Sequence, residues 1–403
     1  MTDIAETNIR VARAETRPPT VLQVLPRLVS GGVERGTVEI TQALVAAGWR
    51  ALVASAGGPL VREIERAGAR HVTLPLQSKN PFVMRANIRR LAEVIDRGRV
   101  DIVHARSRAP AWSTFFAARR AGAHFVTTFH NVYGMQSAAK RFYNSVMGKG
   151  ERVIAISEFV GTHATTLYGV HDDRLRIIPR GVDFQRFDPE RVSAERVIAL
   201  ARQWRLPDGA SIVMLPGRLS RWKGHEVLID ALALLRRADI HCLLVGSGDE
   251  RYQRQLEKRA LSRGVGARLQ LVDECRDMPA AYMLADVVIS ASTSPEGFGR
   301  VIVEAQAMGR PVIATDHGGA RETVLPGSTG WLVPPGDAAA LAAGITTALA
   351  LTADERIAQA ARAIEHVRRH FDAAAMAERT LQVYEEVLFP AATAIKTART
   401  VLA

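Results

Sequence analysis

Short apolar runs alternate with stretches of helical periodicity along almost the whole chain. In the first half, "TVLQVLP" (20–26), "ALVAS" (51–55), "HVTLPL" (71–76), "DIVHA" (101–105), "HFVTTF" (124–129), "RVIAIS" (152–157) and "LRIIP" (175–179) predict strands. Helical patterns fall between them, for example at 33–47 and 82–97. Residues 181–210 interrupt the rhythm with turn residues and charge, and read as a linker. The alternation restarts with "SIVMLPG" (211–217), "IHCLLVG" (240–246), "ARLQLVD" (267–273), "ADVVISAS" (285–292), "RPVIAT" (310–315) and "GWLVPP" (330–335). Near-continuously apolar strands separated by helices predict parallel sheets covered on both faces. The expected fold class is therefore α/β, with two doubly wound parallel-sheet domains. Ligands of such sheets bind beyond the carboxyl ends of the strands, so the expected site is a central cleft that the two sheets face. Residues 352–389 are continuously helical in pattern and are expected to pack back across the domain boundary. The expected divisions are a frayed polar tail at 1–19, a domain at 20–188, a second at 189–372 and the returning helix at 373–403.

Composition agrees with this picture and narrows the class. A chain of 403 residues has room for two ordinary domains with real cores. No strongly apolar run reaches the length of a membrane span. The uncharged run 338–353 is mostly alanine and threonine and predicts a packed helix. The first twenty residues carry no apolar core and no cleavage pattern, so no signal peptide is expected. Cys242 and Cys275 lack metal-type spacing; Cys242 lies in a strand-like run and reads as a small core residue. Nothing implies disulfides, so a reducing cytoplasm is the expected location.

Charge adds a hint about partners. The net charge is +12, and residues 1–190 hold 27 Lys and Arg against 17 Asp and Glu, a difference of +10. The stretch "QSKNPFVMRANIRRL" (77–91) sets basic residues beside apolar ones. That mixture suits a surface touching anionic lipid or an acidic substrate. A solvated amphipathic helix with an Arg-rich face explains it equally well. No recognition motif, zinc spacing or aromatic-rich basic stripe points to nucleic acid.

Five stretches hold residues that could do chemistry. "LVSGGVERGTVE" (28–39) follows a strand and opens a helix; Gly31 and Gly32 let backbone approach a ligand, and the helix start presents N–H groups to an anion. A tight turn explains this stretch almost as well, and its spacing is neither a dinucleotide nor a Walker motif. "LPGRLSRWKGHEVLIDAL" (215–232) places Arg218 and Lys223 before a helix, a suitable clamp for a diphosphate; Arg221 reads as a solvated cation. "LLVGSGDE" (243–250) could line a nucleotide site at Gly246, or Asp249 could simply cap the next helix. His130 lies just past a strand end, where it could donate to a sugar hydroxyl or a developing charge, whereas His104 is given no role. Finally, "SPEGFGRVIVEAQAMGRPVIAT" (294–315) sets Glu296 in a glycine-rich loop and Glu304 in an otherwise apolar helix. Glu304 could hold a ribose diol. Glu296, kept ionised by N–H groups of the helix start, could hold sugar hydroxyls or steady positive charge at an anomeric carbon.

The pair Glu296 and Glu304 forms an E-x(7)-E pattern. With "SGGVERG", "FHN", "AISEF", "IPRGVD" and "GRLSRWKG", the chain over about residues 20–389 resembles the retaining glycosyltransferases of the GT4 family, and within it looks nearest to the lipopolysaccharide-core mannosyltransferase-like enzymes. The resemblance implies a GT-B fold of two Rossmann-like domains, the first on the acceptor side and the second binding the nucleotide-sugar. It implies that Arg218 and Lys223 bind the diphosphate, with Gly32 and its neighbour approaching the distal phosphate and Glu304 holding the ribose. Glu296, Gly297, Phe298 and Gly299 would face the donor sugar, with His130 contacting it from the other domain. His130, Glu296, Arg218 and Lys223 are thus the expected catalytic set. Gly31, Gly32 and Gly246 complete the expected donor-binding set. No D-x-D motif occurs, so no metal or other cofactor is expected, and protein cations must neutralise the leaving diphosphate. The implied acceptor is a glycolipid such as lipopolysaccharide core, met at the inner face of the cytoplasmic membrane. A nucleotide-sugar epimerase, or a non-catalytic protein binding nucleotide-sugar or membrane, are the alternatives.

Overall fold

The first strand, β1 (Thr20–Val24), is wholly buried and pairs in parallel on both sides. Its neighbours are β2 (Arg50–Ser55) and β4 (Ile102–Ala105), so that Leu22 lies between Leu52 and Val103. The strands β3 (Arg70–Thr73), β5 (His124–Phe129), β6 (Arg152–Ala155) and β7 (Leu175–Ile177) complete a seven-stranded sheet in the order β3-β2-β1-β4-β5-β6-β7. The computed structural model describes residues 17–29, 31–134, 137–235, 237–273 and 275–390. The expected tail up to residue 16, and the returning segment beyond residue 390, lie outside the described residues.

Helices connect these strands: α1 (Gly32–Ala46), α2 (Val61–Arg66), α3 (Pro81–Gly98), α4 (Arg108–Ala121), α5 (Ala138–Ser145) and α6 (Glu158–Tyr168). Local chemistry sets their ends. The Asn80 side chain accepts from the Phe82 N–H and Pro81 opens α3, while Gly122 in the left-handed region closes α4.

A second sheet repeats the plan. Its strands are β8 (Ser211–Pro216), β9 (Ile240–Val245), β10 (Leu269–Val272), β11 (Val287–Ser290), β12 (Val312–Thr315) and β13 (Trp331–Val333), ordered β10-β9-β8-β11-β12-β13 with every pair parallel. The helices are α7 (Ala194–Gln203), α8 (His225–Leu234), α9 (Glu250–Ser262), α10 (Met278–Leu284), α11 (Arg300–Ala307), α12 (Ala320–Thr323), α13 (Ala338–Leu349), α14 (Ala353–His370) and α15 (Ala373–Leu388). Leu228 and Leu232 of α8 pack with Val213, Leu244 and Ile289 from three strands and Ile345 from α13. The chain divides into two compact units: one runs to Pro179 and resumes at Ala374, and the other is Arg180–Ala373. This is the doubly wound α/β architecture expected from the alternation.

Two stretches differ from the sequence pattern. The supposed linker contains α7, started by the Ser193 hydroxyl accepting from the Arg196 N–H. Leu200 and Trp204 bury against the second unit, and Arg196 grips Asp277 through two hydrogen bonds of 3.0 and 2.7 Å. Second, the helix expected through 352–389 breaks at Phe371. There the Val182 N–H donates to Phe371 O at 2.8 Å and the Ala373 N–H donates to Val182 O at 3.0 Å, a bridge that displaces helical bonding. Gly181 has no room for a side chain at this bridge, since a Cβ would stand 2.3 Å from Ala373 Cα. Beyond the break, α15 joins the first unit. Its Tyr384 is fully buried and its hydroxyl shares a 2.7 Å hydrogen bond with His104 Nδ1. Its Glu386 accepts from Arg152 and Arg176 of β6 and β7.

Candidate functional site

In the second unit, strand order places a crevice beside the candidate residues. The connection direction reverses between β8 and β11, which are neighbours in the sheet. At such a switch point the loops leaving the two strands part and open a crevice. The loop after β8 carries Arg218 and Lys223; the loop after β11 carries Glu296.

Lys223 ends a 3-10 turn, Arg221–Lys223, closed by Gly224 at φ 75°. A side chain on Gly224 would stand 1.8 Å from Ala291 O, so glycine is needed for conformation and contact alike. The turn is tied to the second loop through Trp222 O, which accepts from the Thr293 N–H at 2.7 Å. This tether brings Lys223 Nζ to 2.8 Å from Glu296 Oε1, with the two side chains 15% and 14% exposed. The same oxygen accepts a short hydrogen bond from Ser292 and a 3.4 Å bond from Ser290. The hydrogen bonds described at this carboxylate thus come from an ammonium and hydroxyls, not from the helix N–H groups expected from sequence.

The loop itself is held from below. The Gly319 N–H donates to Glu296 O at 2.9 Å. A Cβ on Gly318 would stand 2.5 Å from Glu296 O, and one on Gly319 2.5 Å from Phe298 Cα. Phe298 is buried and meets Phe371 edge-on at 5.3 Å. Gly299, at φ 89°, precedes α11. Within α11, Glu304 accepts from the buried Tyr282 hydroxyl at 3.0 Å and from Arg300 Nε at 3.3 Å. The Glu304 side chain is 14% exposed, so it is no freely solvated helix carboxylate. Burial, with Glu304 adding to it, pushes the Tyr282 phenol well above its usual range, so it stays a hydrogen-bond donor.

The contacts described at this group do not include the remaining residues singled out from the sequence. Arg218 is exposed. Arg221 turns to Glu226 and Gln255 and lies over the Tyr252 ring at 5.2 Å. Gly246, at φ 147°, makes room for Gly217, whose carbonyl would stand 2.3 Å from an added Cβ. Asp249 caps α9 by accepting from the Tyr252 N–H. Cys242 is a core residue whose thiol burial pushes up to about 12. Among the described residues no cluster of His, Cys, Asp and Glu has the makings of a metal site.

In the first unit, Gly31 and Gly32 lie at the junction after β1, and His130 directly follows β5. Gly31 adopts φ 156° and ψ 168°. Tyr133, three residues on, is locked by stacking on Phe129 at 5.2 Å, by Arg108 over its ring at 4.1 Å, and by its N–H donating to His163 Nε2 at 2.9 Å. Burial pushes its phenol up to about 12. His104 shares hydrogen bonds with Tyr384 and Thr128, a structural role.

Sequence reasoning missed Ser290, Ser292, Tyr282, Gly318 and Gly319. A signal existed for the serines: in "ADVVISAS" they alternate at the strand's carboxyl end, where an apolar run turns polar with period two. Tyr282 carried no such signal, because only packing places its hydroxyl at Glu304.

The arrangement sets a cation and two carboxylates beside hydroxyls, groups able to hold phosphate and sugar oxygens. Residues 30–186 match the model "Glycosyltransferase Family 4" and residues 198–365 match "Glycosyl transferases group 1". A D-inositol 3-phosphate glycosyltransferase of Xylanimonas cellulosilytica is 32% identical, covering 72% of each chain. A glycosyltransferase structure from Rickettsia africae superposes with a TM-score of 0.84 at 38% identity, covering 92% of this chain and 99% of that one. The Anabaena protein Alr3699/HepE, solved with UDP-glucose, superposes at 0.80 with 25% identity, covering 91% and 99%. The chain therefore belongs to the GT4 family of glycosyltransferases, with the GT-B fold.

Proposed function

We propose that the protein is a retaining, metal-independent glycosyltransferase moving a hexose from GDP-mannose or a UDP-hexose to a cell-envelope glycolipid such as lipopolysaccharide core. The observation that carries this reading is the Lys223–Glu296 pair at the switch point, set among Ser290 and Ser292 and followed by the largely buried Glu304. Arg218 and Lys223 neutralise the diphosphate as it leaves. Glu304 and the Tyr282 hydroxyl hold the ribose end, and Glu296 faces the sugar. His130 is assigned a contact with the sugar, and Gly31 and Gly32 a contact with the distal phosphate. The acceptor oxygen bonds to the anomeric carbon on the face from which the C–O–P bond breaks, its proton passes to a phosphate oxygen, and nucleoside diphosphate departs.

A second acceptor is favoured by one observation. The curated relative quoted above is named for D-inositol 3-phosphate, a phosphorylated polyol. In either case the acceptor is polyhydroxylic, and the glycolipid acceptor places the reaction at the cytoplasmic face of the membrane, with the basic first unit toward its anionic surface. No helix among the described residues is long and apolar enough to cross a membrane.

The test is a thermal-shift and calorimetric screen against UDP-, GDP- and ADP-sugars. A rise in melting temperature with one of them, lost in Arg218→Ala and Lys223→Ala, supports the reading. No shift with any nucleotide-sugar sinks it. Transfer assays with lipopolysaccharide core and with D-inositol 3-phosphate then separate the two acceptors.

A further inference from the structure

The second unit holds a recess of about 650 Å³ away from Lys223 and Glu296. Four arginines, Arg186, Arg191, Arg196 and Arg276, line it with one carboxylate, Asp277, so the wall carries a net charge of +3. All of its lining residues lie within the continuous segment Arg180–Ala373. Like charges gathered on one wall repel unless carboxylates or a bound anion offset them.

The one carboxylate in the wall is already engaged. Asp277 accepts from Arg196 Nε at 3.0 Å and Nη2 at 2.7 Å, and from the Ala280 N–H at 3.2 Å at the start of α10. Arg196 Nη1 also donates to Arg191 O at 2.9 Å, which holds the segment before α7 to the turn before α10. Arg196 thus builds the wall. The other three guanidiniums keep donors to spare. Arg186 donates to Arg276 O at 3.3 Å and lies over the Phe187 ring at 5.3 Å, so it meets a carbonyl and an aromatic face. Arg191 reaches Asp188 at 3.5 Å, with its own side chain 56% exposed. Arg276 is exposed, and no described hydrogen bond or ion pair takes up its guanidinium. Each guanidinium has five N–H donors, so most donors on these three have no described acceptor.

The donor does not account for this charge. Its diphosphate is assigned to Arg218 and Lys223, and neither lines the recess. A nucleobase is uncharged at neutral pH and calls for no cluster of cations. Arginine matches phosphate oxygens in pairs through its planar fork. The volume lies in the range of small-molecule sites and exceeds what one phosphate fills. We propose that this recess binds a small metabolite carrying two or more phosphoryl groups, at a site separate from that of the nucleotide-sugar, with Arg186, Arg191 and Arg276 gripping the phosphates. The assignment goes beyond the donor reading and does not depend on it. The recess does adjoin the residues given to the ribose, because the buried Phe187 ring meets Tyr282 at 6.1 Å. Competition with nucleotide is therefore part of the test.

The test is isothermal titration calorimetry of the full chain with fructose 1,6-bisphosphate and with orthophosphate as probes. The bisphosphate is expected to bind at least about tenfold more tightly than orthophosphate, and less tightly as salt rises. Arg191→Ala with Arg276→Ala should weaken its binding at least about tenfold. Both side chains are exposed, so the melting temperature and nucleoside diphosphate affinity of this variant should stay at wild-type values. Lys223→Ala should leave bisphosphate affinity within about twofold, and saturating UDP or GDP should not displace the bisphosphate. No binding, equal binding of orthophosphate, or undiminished binding by the double variant overturns the proposal. So does displacement by the nucleoside diphosphates or loss of binding in Lys223→Ala, which would put the probe in the donor's diphosphate site. A chain that binds the bisphosphate through these arginines but binds no nucleotide-sugar upholds this site and sinks only the donor reading.

Discussion

Lys223 and Glu296 illustrate how a few ångströms of placement set the chemistry of a residue. Their 2.8 Å contact is mostly shielded from water. Removing one partner of a shielded pair leaves the other uncompensated. Lys223→Ala is therefore expected to lower nucleoside diphosphate affinity at least about tenfold in calorimetry, through loss of one charge-assisted contact. Glu296→Gln keeps the shape and the serine contacts; it should leave that affinity within about threefold while slowing sugar transfer. If Glu296→Gln abolishes nucleotide binding, Glu296 acts by positioning Lys223 and not at the sugar. His225 shows the same logic in the core. Burial outweighs an opposing backbone hydrogen bond at Ser220, and the smaller effect of the Lys223 charge adds to burial, so its pKa falls to about 4. Unfolded chain takes up a proton near pH 6.5 and folded chain does not, so stability is fully present above pH 6.5 and declines as pH falls from there towards 4. The loss is up to about 3 kcal/mol. His225→Leu should flatten this slope in urea unfolding measured across that window.

At the scale of elements, the glycine-rich loop before α11 works because another loop lies directly beneath it. Gly319→Ala would drive a methyl group to 2.5 Å from Phe298 Cα. A destabilisation of about 1–3 kcal/mol is expected in urea unfolding, with slowed transfer as the loop lifts. The helix α15 makes a comparable case through Glu386. Burial acts to raise its pKa, but Arg176 and Arg152 together outweigh burial and hold it below the usual carboxylate range. Its stabilisation is present above the unfolded carboxyl pKa and lost as pH falls through the lower folded value. Glu386→Gln should cost about 2 kcal/mol at neutral pH and progressively less in acid, read from pH-dependent thermal melts. The strands and most helices were legible in sequence because burial on both sheet faces forces near-continuous apolar runs. The break at Phe371 was not, since Val182 competes for its backbone from almost two hundred residues away. The helix α7 was obscured because its apolar face is short, with Leu200 and Trp204 as its buried anchors.

For the whole molecule, topology separates the two units in sequence in an unequal way. The second unit is one continuous segment, Arg180–Ala373, with its own core and with Arg218, Lys223, Glu296 and Glu304, which are proposed to bind the donor. Expressed alone, this segment is expected to fold and bind nucleoside diphosphate, as circular dichroism and calorimetry would show. The first unit is discontinuous. Its core includes Met376, Val383, Tyr384 and Val387 from α15. A chain ending at Pro179 leaves His104 without its Tyr384 partner, and should not melt cooperatively unless residues 374–390 are supplied.

By itself the amino-acid order determined the alternation of strands and helices, the two parallel sheets and the positions of Arg218, Lys223, Glu296 and Glu304 beside strand ends. These follow from local periodicity and from the rule that doubly wound sheets bind at their carboxyl edges. Only the tertiary structure decided that Lys223 meets Glu296, that Ser292 and Ser290 share that carboxylate, and that Tyr282 donates to Glu304. It also gathered Arg186, Arg191, Arg196 and Arg276 around one recess. Hydrogen bonds and ring stacks depend on angles and distances between distant segments, and no periodicity along the chain encodes them.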